Sequence, residues 1–159
     1  MTAKELLTRP AAIAQEIADL QEELQEITYK LIDAQHPAPG MSKVRTSPRF
    51  DRIPQLVQQK EYIKHRIQDR EKMLIHAKVQ TADKITELED PRYMRILSRH
   101  YVQGETLEAV AAALDYDHSH ICKLKREAIA ALESLLIDGP KITPEMIEEM
   151  AERIRENLK

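Results

Sequence analysis

The distribution of proline and glycine constrains this chain more than any other feature of its sequence. Both residues interrupt helices, and neither occurs in residues 11–36, 55–90, 92–103 or 105–138. These four uninterrupted segments predict helices. Because aromatic residues make up only 4% of the chain and charged residues 32%, solvated helices with narrow apolar seams fit better than a β-sandwich. We therefore expect an all-α protein.

The first segment has a regular apolar seam. Its apolar residues are spaced in the a/d pattern of a coiled coil: Ile13, Ile17, Leu20, Leu24, Ile27 and Leu31. Residues 55–90 repeat this pattern less regularly. We predict that residues 1–89 form an antiparallel helical hairpin. Because the second helix is the longer one, Leu74, Ile85 or Leu88 should contact either a partner or the following domain.

A connector with four prolines, residues 36–54, joins the two predicted helices. It belongs to a basic block, since residues 36–78 have 10 basic and 4 acidic side chains, a net charge of +6. Residues 1–35 have 3 basic and 7 acidic side chains, a net charge of −4. The basic block is either a solvated coiled-coil face or a phosphate-facing surface. Opposite charges on the two helices favour association within and between hairpins, so we expect a homodimer.

The remaining segments predict a short helical domain, residues 90–138, and a tail, residues 139–159. Three residues have the character and position of helix N-caps: Asp90, Thr106 and Thr143. The predicted helices are 91–102, 107–114, about 118–136, and an amphipathic helix that begins at Pro144.

Residues 107–126 fit a helix-turn-helix pattern. Ala111 is the small residue that faces the second helix, and Ile121 and Leu124 are its paired apolar anchors. The outward positions are then His118, Ser119, His120, Cys122, Lys123 and Arg126. Lys and Arg can read guanine or hold phosphates in a major groove, and Ser and His can also donate there. The same spacing also fits a plain corner between two helices whose outer face is solvated.

Residues 90–133 resemble region 4 of the bacterial sigma-70 family. The matching features are Ile96-Leu97, Arg99-His100-Tyr101, Gly104, the segment 107–111, and the series Ile121, Leu124, Ala128 and Leu132. Residues 1–136 are similar to phage-encoded proteins that join a coiled coil to a region-4-like domain, of the ArpU and RinA type of late-transcription regulators. The connector "MSKVRTSPRFDRI" and the junction "LEDPRYMRIL" also fit that group.

The resemblance implies binding to double-stranded promoter DNA by helix 118–136, with RNA polymerase as a further partner. Thr106 and Arg99 join the six outward residues as candidate DNA-binding positions. The sequence departs from the family pattern in two places. Asp115 stands where the turn usually has glycine, and the recognition helix has His118 and His120 where sigma factors have more arginines. No counterpart of the promoter-opening sigma region is present, so a regulator fits better than a sigma factor.

Other functional classes fit less well. On a helix, His118 and Cys122 share a face but His120 does not, so we expect no metal site. No catalytic constellation accompanies Cys122, and we expect no enzyme activity and no cofactor. The sequence has no secretory signal and no membrane span, so we expect a cytoplasmic protein. The alternative function is DNA packaging by an oligomeric protein of the small-terminase type, although those proteins usually have the DNA-binding unit at the N-terminus.

Overall fold

The computed structural model describes residues 1–36, 48–139 and 143–158, and for residues 48–51 it describes the backbone alone. The described residues are predominantly helical, with no strand among them, which confirms the all-α prediction. The α-helices are α1 (Ala3–Gln35), α2 (Pro48–Thr86), α3 (Pro91–Leu97), α4 (Leu107–Leu114), α5 (His118–Asp138) and α6 (Pro144–Asn157). None of them is long and apolar enough to span a membrane.

Two helices begin earlier than the proline pattern predicts. Helix α1 begins at Ala3 and contains Pro10, and α2 begins at Pro48 and contains Pro54. The predicted connector 36–54 therefore overlaps the start of α2. Its central part, residues 37–47, lies outside the described residues, and with it Lys43 and Arg45 of the basic block.

Helix α1 tolerates Pro10 because another hydrogen-bond donor replaces the missing one. A proline has no N–H, so the carbonyl of Leu6 lacks the bond that residue 10 would normally donate. The hydroxyl of Thr81, which is buried, donates to that carbonyl at 3.1 Å. The proline is also buried, where a ring without a polar group can pack.

Residues 8–80 form one compact unit. Its core joins the two helices through seven buried residues: Ile13, Ile17, Leu20 and Ile27 of α1 with Ile63, Ile67 and Ala77 of α2. Arg70 lies in the irregular part of the α2 seam, and its guanidinium pairs with the Glu16 carboxylate at 3.1 Å. Residue 16 of α1 thus lies beside residue 70 of α2.

Residues 1–7 and 81–159 form the other compact unit. The N-terminus of α1 and the C-terminal part of α2 share a core with α3 and α5: Ala3, Leu7, Ile85, Leu88, Leu97, Ala128 and Leu132. This core thus contains residues from both sides of the predicted division at residue 89. Of the two alternatives for Ile85 and Leu88, the structure shows contact with the following domain.

Helix α3 begins at an N-cap, as predicted, but it ends early. The Asp90 carboxylate accepts from the Arg92 backbone N–H at 2.9 Å and from the Arg92 guanidinium at 2.9 Å. Both bonds hold the pKa of Asp90 below its usual value of 3.8, and the bond from the Arg92 side chain has the larger effect. The prediction that this α-helix continues to Val102 is wrong. Helix α3 ends at Leu97, and residues 98–102 form a π-helix. A π-helix widens the turn and redirects the side chains that follow.

Candidate nucleic-acid interface

Helices α4 and α5 are joined by a three-residue turn, residues 115–117. The Thr106 hydroxyl caps α4 by accepting from the Ala109 N–H at 3.2 Å. Helix α4 ends at Leu114. Its C-cap, Asp115, has a left-handed backbone with φ of 58° and ψ of 48°, as its position in the turn predicts. Asp117 then begins α5 through its carbonyl, which accepts from the Ile121 N–H at 2.9 Å, while its carboxylate makes no capping bond.

The inward side of this pair of helices has the residues that the spacing predicts. A buried cluster joins α3, α4 and α5: Ile96, Val110, Ala111, Ile121 and Leu124. Ala111 is only 6% exposed, so its side chain is packed inside this cluster. Because Ile121 and Leu124 point inward, the opposite side of α5 faces away from the protein.

That opposite side has the predicted candidates. His118, Ser119, His120, Lys123 and Arg126 are exposed, and Cys122 is half-buried. Ser119, Lys123 and Arg126 follow one another at intervals of four and three residues, so they form one row along α5.

The polar side chains beside this row are arranged in two pairs. His118 Nε2 lies 3.7 Å from Cys122 Sγ. The His120 ring lies edge-on to the Tyr116 ring, with 4.9 Å between their centroids. His118 and His120 therefore lie in different surroundings, and no group of three potential metal ligands occurs within residues 1–36, 48–139 and 143–158.

The two further candidate DNA-binding residues, Thr106 and Arg99, form contacts within the protein. The Thr106 hydroxyl is exposed but caps α4, and the half-buried Arg99 pairs with Glu105 at 3.4 Å between Nη1 and Oε2. His100, next to Arg99, has its Nδ1 2.8 Å from the Glu105 carbonyl oxygen. These contacts fix the loop that leads from the π-helix into α4.

Two interactions near the interface have no signal in the sequence. The Lys125 ammonium lies over the Tyr101 ring, 5.7 Å from its centroid, and the Tyr93 hydroxyl donates to Glu127 at 3.1 Å. Burial, and then the bond to Glu127, raise the pKa of Tyr93. The aromatic partners come from α3 and the π-helix, far from α5 in sequence. Hydrophobic spacing along α5 alone could not have indicated them.

The interface as a whole is not strongly basic. Residues 106–127 contain three cations, Lys123, Lys125 and Arg126, and four carboxylates, Glu108, Asp115, Asp117 and Glu127. Their sum is −1, and the positive charge is confined to one turn of α5. Such a surface offers few phosphate contacts, so most of its discrimination would have to come from a small number of side chains.

Comparisons with protein-family models, with curated proteins and with solved structures found no match to this chain.

Proposed function

We propose that this chain is a sequence-specific DNA-binding transcriptional regulator, of the phage or prophage late-gene type, that reads promoter DNA with α5. The observation that carries the proposal is the exposed row Ser119, Lys123 and Arg126, opposite the buried anchors Ile121 and Leu124. In this proposal α4, the turn and α5 form a helix-turn-helix motif within a region-4-like domain. The sequence resemblance to such regulators supports the same interpretation.

The geometry of α5 is suited to a major groove. A helix with its side chains is about 10–12 Å wide, close to the roughly 12 Å width of the groove. The row lies in the N-terminal half of the 21-residue helix, the part that reaches base edges in helix-turn-helix proteins. Lys123 and Arg126 would contact guanine or phosphate, Ser119 would lie in the groove in the same row, and His118 and His120 would lie at the groove edges.

The proposal also includes two protein partners. We expect a homodimer, because one short recognition helix makes few base contacts and two copies on one site overcome that weakness. RNA polymerase is the further partner that the resemblance implies. A ring of eight or more copies would instead favour the DNA-packaging alternative, so the mass of the particle separates the two functions.

The salt dependence of binding to a random-sequence duplex tests the proposal. With three cations near the row, the logarithm of the binding constant should fall with the logarithm of salt concentration with a slope of about −3. The double variant Lys123→Ala/Arg126→Ala should bind less tightly and reduce the slope by about 2.

The matched control is Lys72→Ala/Lys78→Ala, which removes two exposed cations from α2. It should bind as the unmodified protein does. If the control loses binding while the α5 variant retains it, the DNA-binding face is the basic block of α2, and the proposed docking of α5 is wrong.

A further inference from the structure

The two sides of α1 that flank its apolar seam differ sharply in charge. On one side, at positions 9, 12, 16, 19, 23, 26, 30 and 33, every side chain except Ala12 is charged. On the other side, at positions 11, 14, 18, 21, 25, 28 and 32, none is charged. We call the second set the uncharged flank. In a chain with 32% charged residues, an exposed helix face normally has charges on both sides of its seam.

The uncharged flank has the spacing of a second seam. Its positions are separated by 3, 4, 3, 4, 3 and 4 residues, which is the interval of helix–helix contacts. All of its side chains except Thr28 are exposed, and Ile32 is 53% exposed. The Thr28 hydroxyl donates to the Leu24 carbonyl at 2.8 Å, so it needs no bond to water. Next to the flank, Tyr29 is 75% exposed.

Helix α2 extends this surface. When two helices pair in antiparallel orientation, the residue directly after each seam residue lies on the same side of the pair in both helices. On α2 these positions include Val57 and Ile75, both large apolar residues that are exposed. Three charged residues lie between them on this side: Glu61 and Lys64, which pair with each other at 3.5 Å, and the exposed Glu71. On this side of α2, Val57 and Ile75 therefore lie at the two ends of a stretch whose three charged residues sum to −1.

The residues of the uncharged flank indicate what covers it. It has no cation, so it offers nothing to nucleic acid. Its N-terminal half has only alanines, and its C-terminal half has the larger Gln25, Thr28 and Ile32. When two such helices lie antiparallel, small side chains face large ones along the whole contact, whereas a parallel pair would place small on small and large on large. We infer that the uncharged flank of α1 is the contact surface for a second, antiparallel copy of this chain.

The size of the surface agrees with this inference. The flank extends over 21 residues from 11 to 32, or about 32 Å, and two helices side by side are about 20 Å wide. A face of that size covers about 640 Å² on each copy, and the two copies together exceed the roughly 1,000 Å² of a specific interface. Helix α1 alone would give half that area, which is too little. The contribution of α2 is therefore required.

The test is the mass of the full chain in solution, measured by sedimentation equilibrium. The unmodified protein should have twice its chain mass of 18.4 kDa at micromolar concentration. Ala18→Glu places a charge in the flank and should raise the dissociation constant at least about tenfold. Ala12→Glu is the matched control, because it makes the same substitution at an exposed position on the charged side of the same helix. The control should remain a dimer.

Disulfide crosslinking tests the direction of the contact in a Cys122→Ser background. Gln21→Cys lies near the middle of the flank and should crosslink two copies, whereas Ala11→Cys, at one end, should not. Crosslinking at both positions would mean a parallel pair. A monomeric unmodified protein, or equal masses for Ala18→Glu and Ala12→Glu with unchanged helix content, would overturn the inference. A monomer would also contradict the homodimer of the proposed function, but neither result bears on the base contacts of α5.

Discussion

The Thr81 hydroxyl offers a quantitative test of how α1 accommodates a proline. It is 1% exposed, and it donates to the Leu6 carbonyl whose usual donor is missing because residue 10 is proline. Thr81→Val removes the hydroxyl and preserves the shape of the side chain. The substitution leaves a buried carbonyl without a donor.

The expected loss follows from two contributions. A hydrogen bond contributes about 1 kcal/mol net, and a buried acceptor left unsatisfied costs about 1–3 kcal/mol. The added methyl group of valine recovers part of this through apolar burial, about 0.8 kcal/mol for one carbon. We therefore expect Thr81→Val to lower the free energy of unfolding by about 1–2 kcal/mol.

The proline makes this prediction specific, because Pro10→Ala restores the N–H that bonds the Leu6 carbonyl within the helix. In the Pro10→Ala background, Thr81→Val should cost less than about 0.5 kcal/mol, a coupling of about 1 kcal/mol between the two positions. Urea denaturation of the four proteins, followed by far-UV circular dichroism, measures this coupling.

Thr28→Val is the matched control. Its hydroxyl also donates to a helix carbonyl, that of Leu24, but this carbonyl retains the N–H of residue 28. The control should change stability by no more than about 0.5 kcal/mol. Equal losses from Thr81→Val in the unmodified protein and in the Pro10→Ala background would refute the explanation that Thr81 replaces the missing donor.

Further predictions concern the unit that contains α5. Leu7→Ala should lower the free energy of unfolding by about 2–5 kcal/mol, because this leucine is buried in the core that α5 shares; thermal denaturation measures it. Ala111→Leu should cost about 1–3 kcal/mol by overpacking, and an unchanged melting temperature would contradict the helix register. Asp115→Gly should raise stability by about 0.5–1 kcal/mol in the same assay, since glycine adopts left-handed φ without strain. Because the pKa of Asp90 is lowered in the folded protein, its cap contributes fully to stability above pH 3.8, and this contribution is lost as the pH falls through the lowered pKa. Asp90→Asn should abolish this acid-dependent contribution when the free energy of unfolding is measured against pH.

The sequence predicted the helices wherever local signals decide them. Thr106, Asp115 and Thr143 mark helix boundaries through capping and turn chemistry that involve only neighbouring residues, and the structure confirms all three. The inward side of α5 was also predictable, because Ile121 and Leu124 follow from helical periodicity. The buried and exposed sides of the candidate interface therefore needed no tertiary information.

Features that depend on distant residues could not be predicted in this way. Pro10 indicated a helix boundary, and only the hydroxyl of residue 81 explains why α1 continues through it. The packing of residues 1–7 with Leu132 joins opposite ends of the chain. The Lys125 ammonium lies over the ring of Tyr101, a residue of the π-helix, and no periodic pattern along α5 encodes this contact.

The proposed reading of DNA by α5 is the central claim, and selection of bound duplexes from a random-sequence pool tests it most directly. The unmodified full chain should enrich one consensus, with two half-sites about 10 base pairs apart if two copies bind together. Lys123→Ala/Arg126→Ala should lose the preference for specific bases, while Lys72→Ala/Lys78→Ala should enrich the same consensus as the unmodified protein. If the unmodified chain enriches no sequence, or if the α5 variant selects the same consensus with undiminished enrichment, α5 does not read DNA.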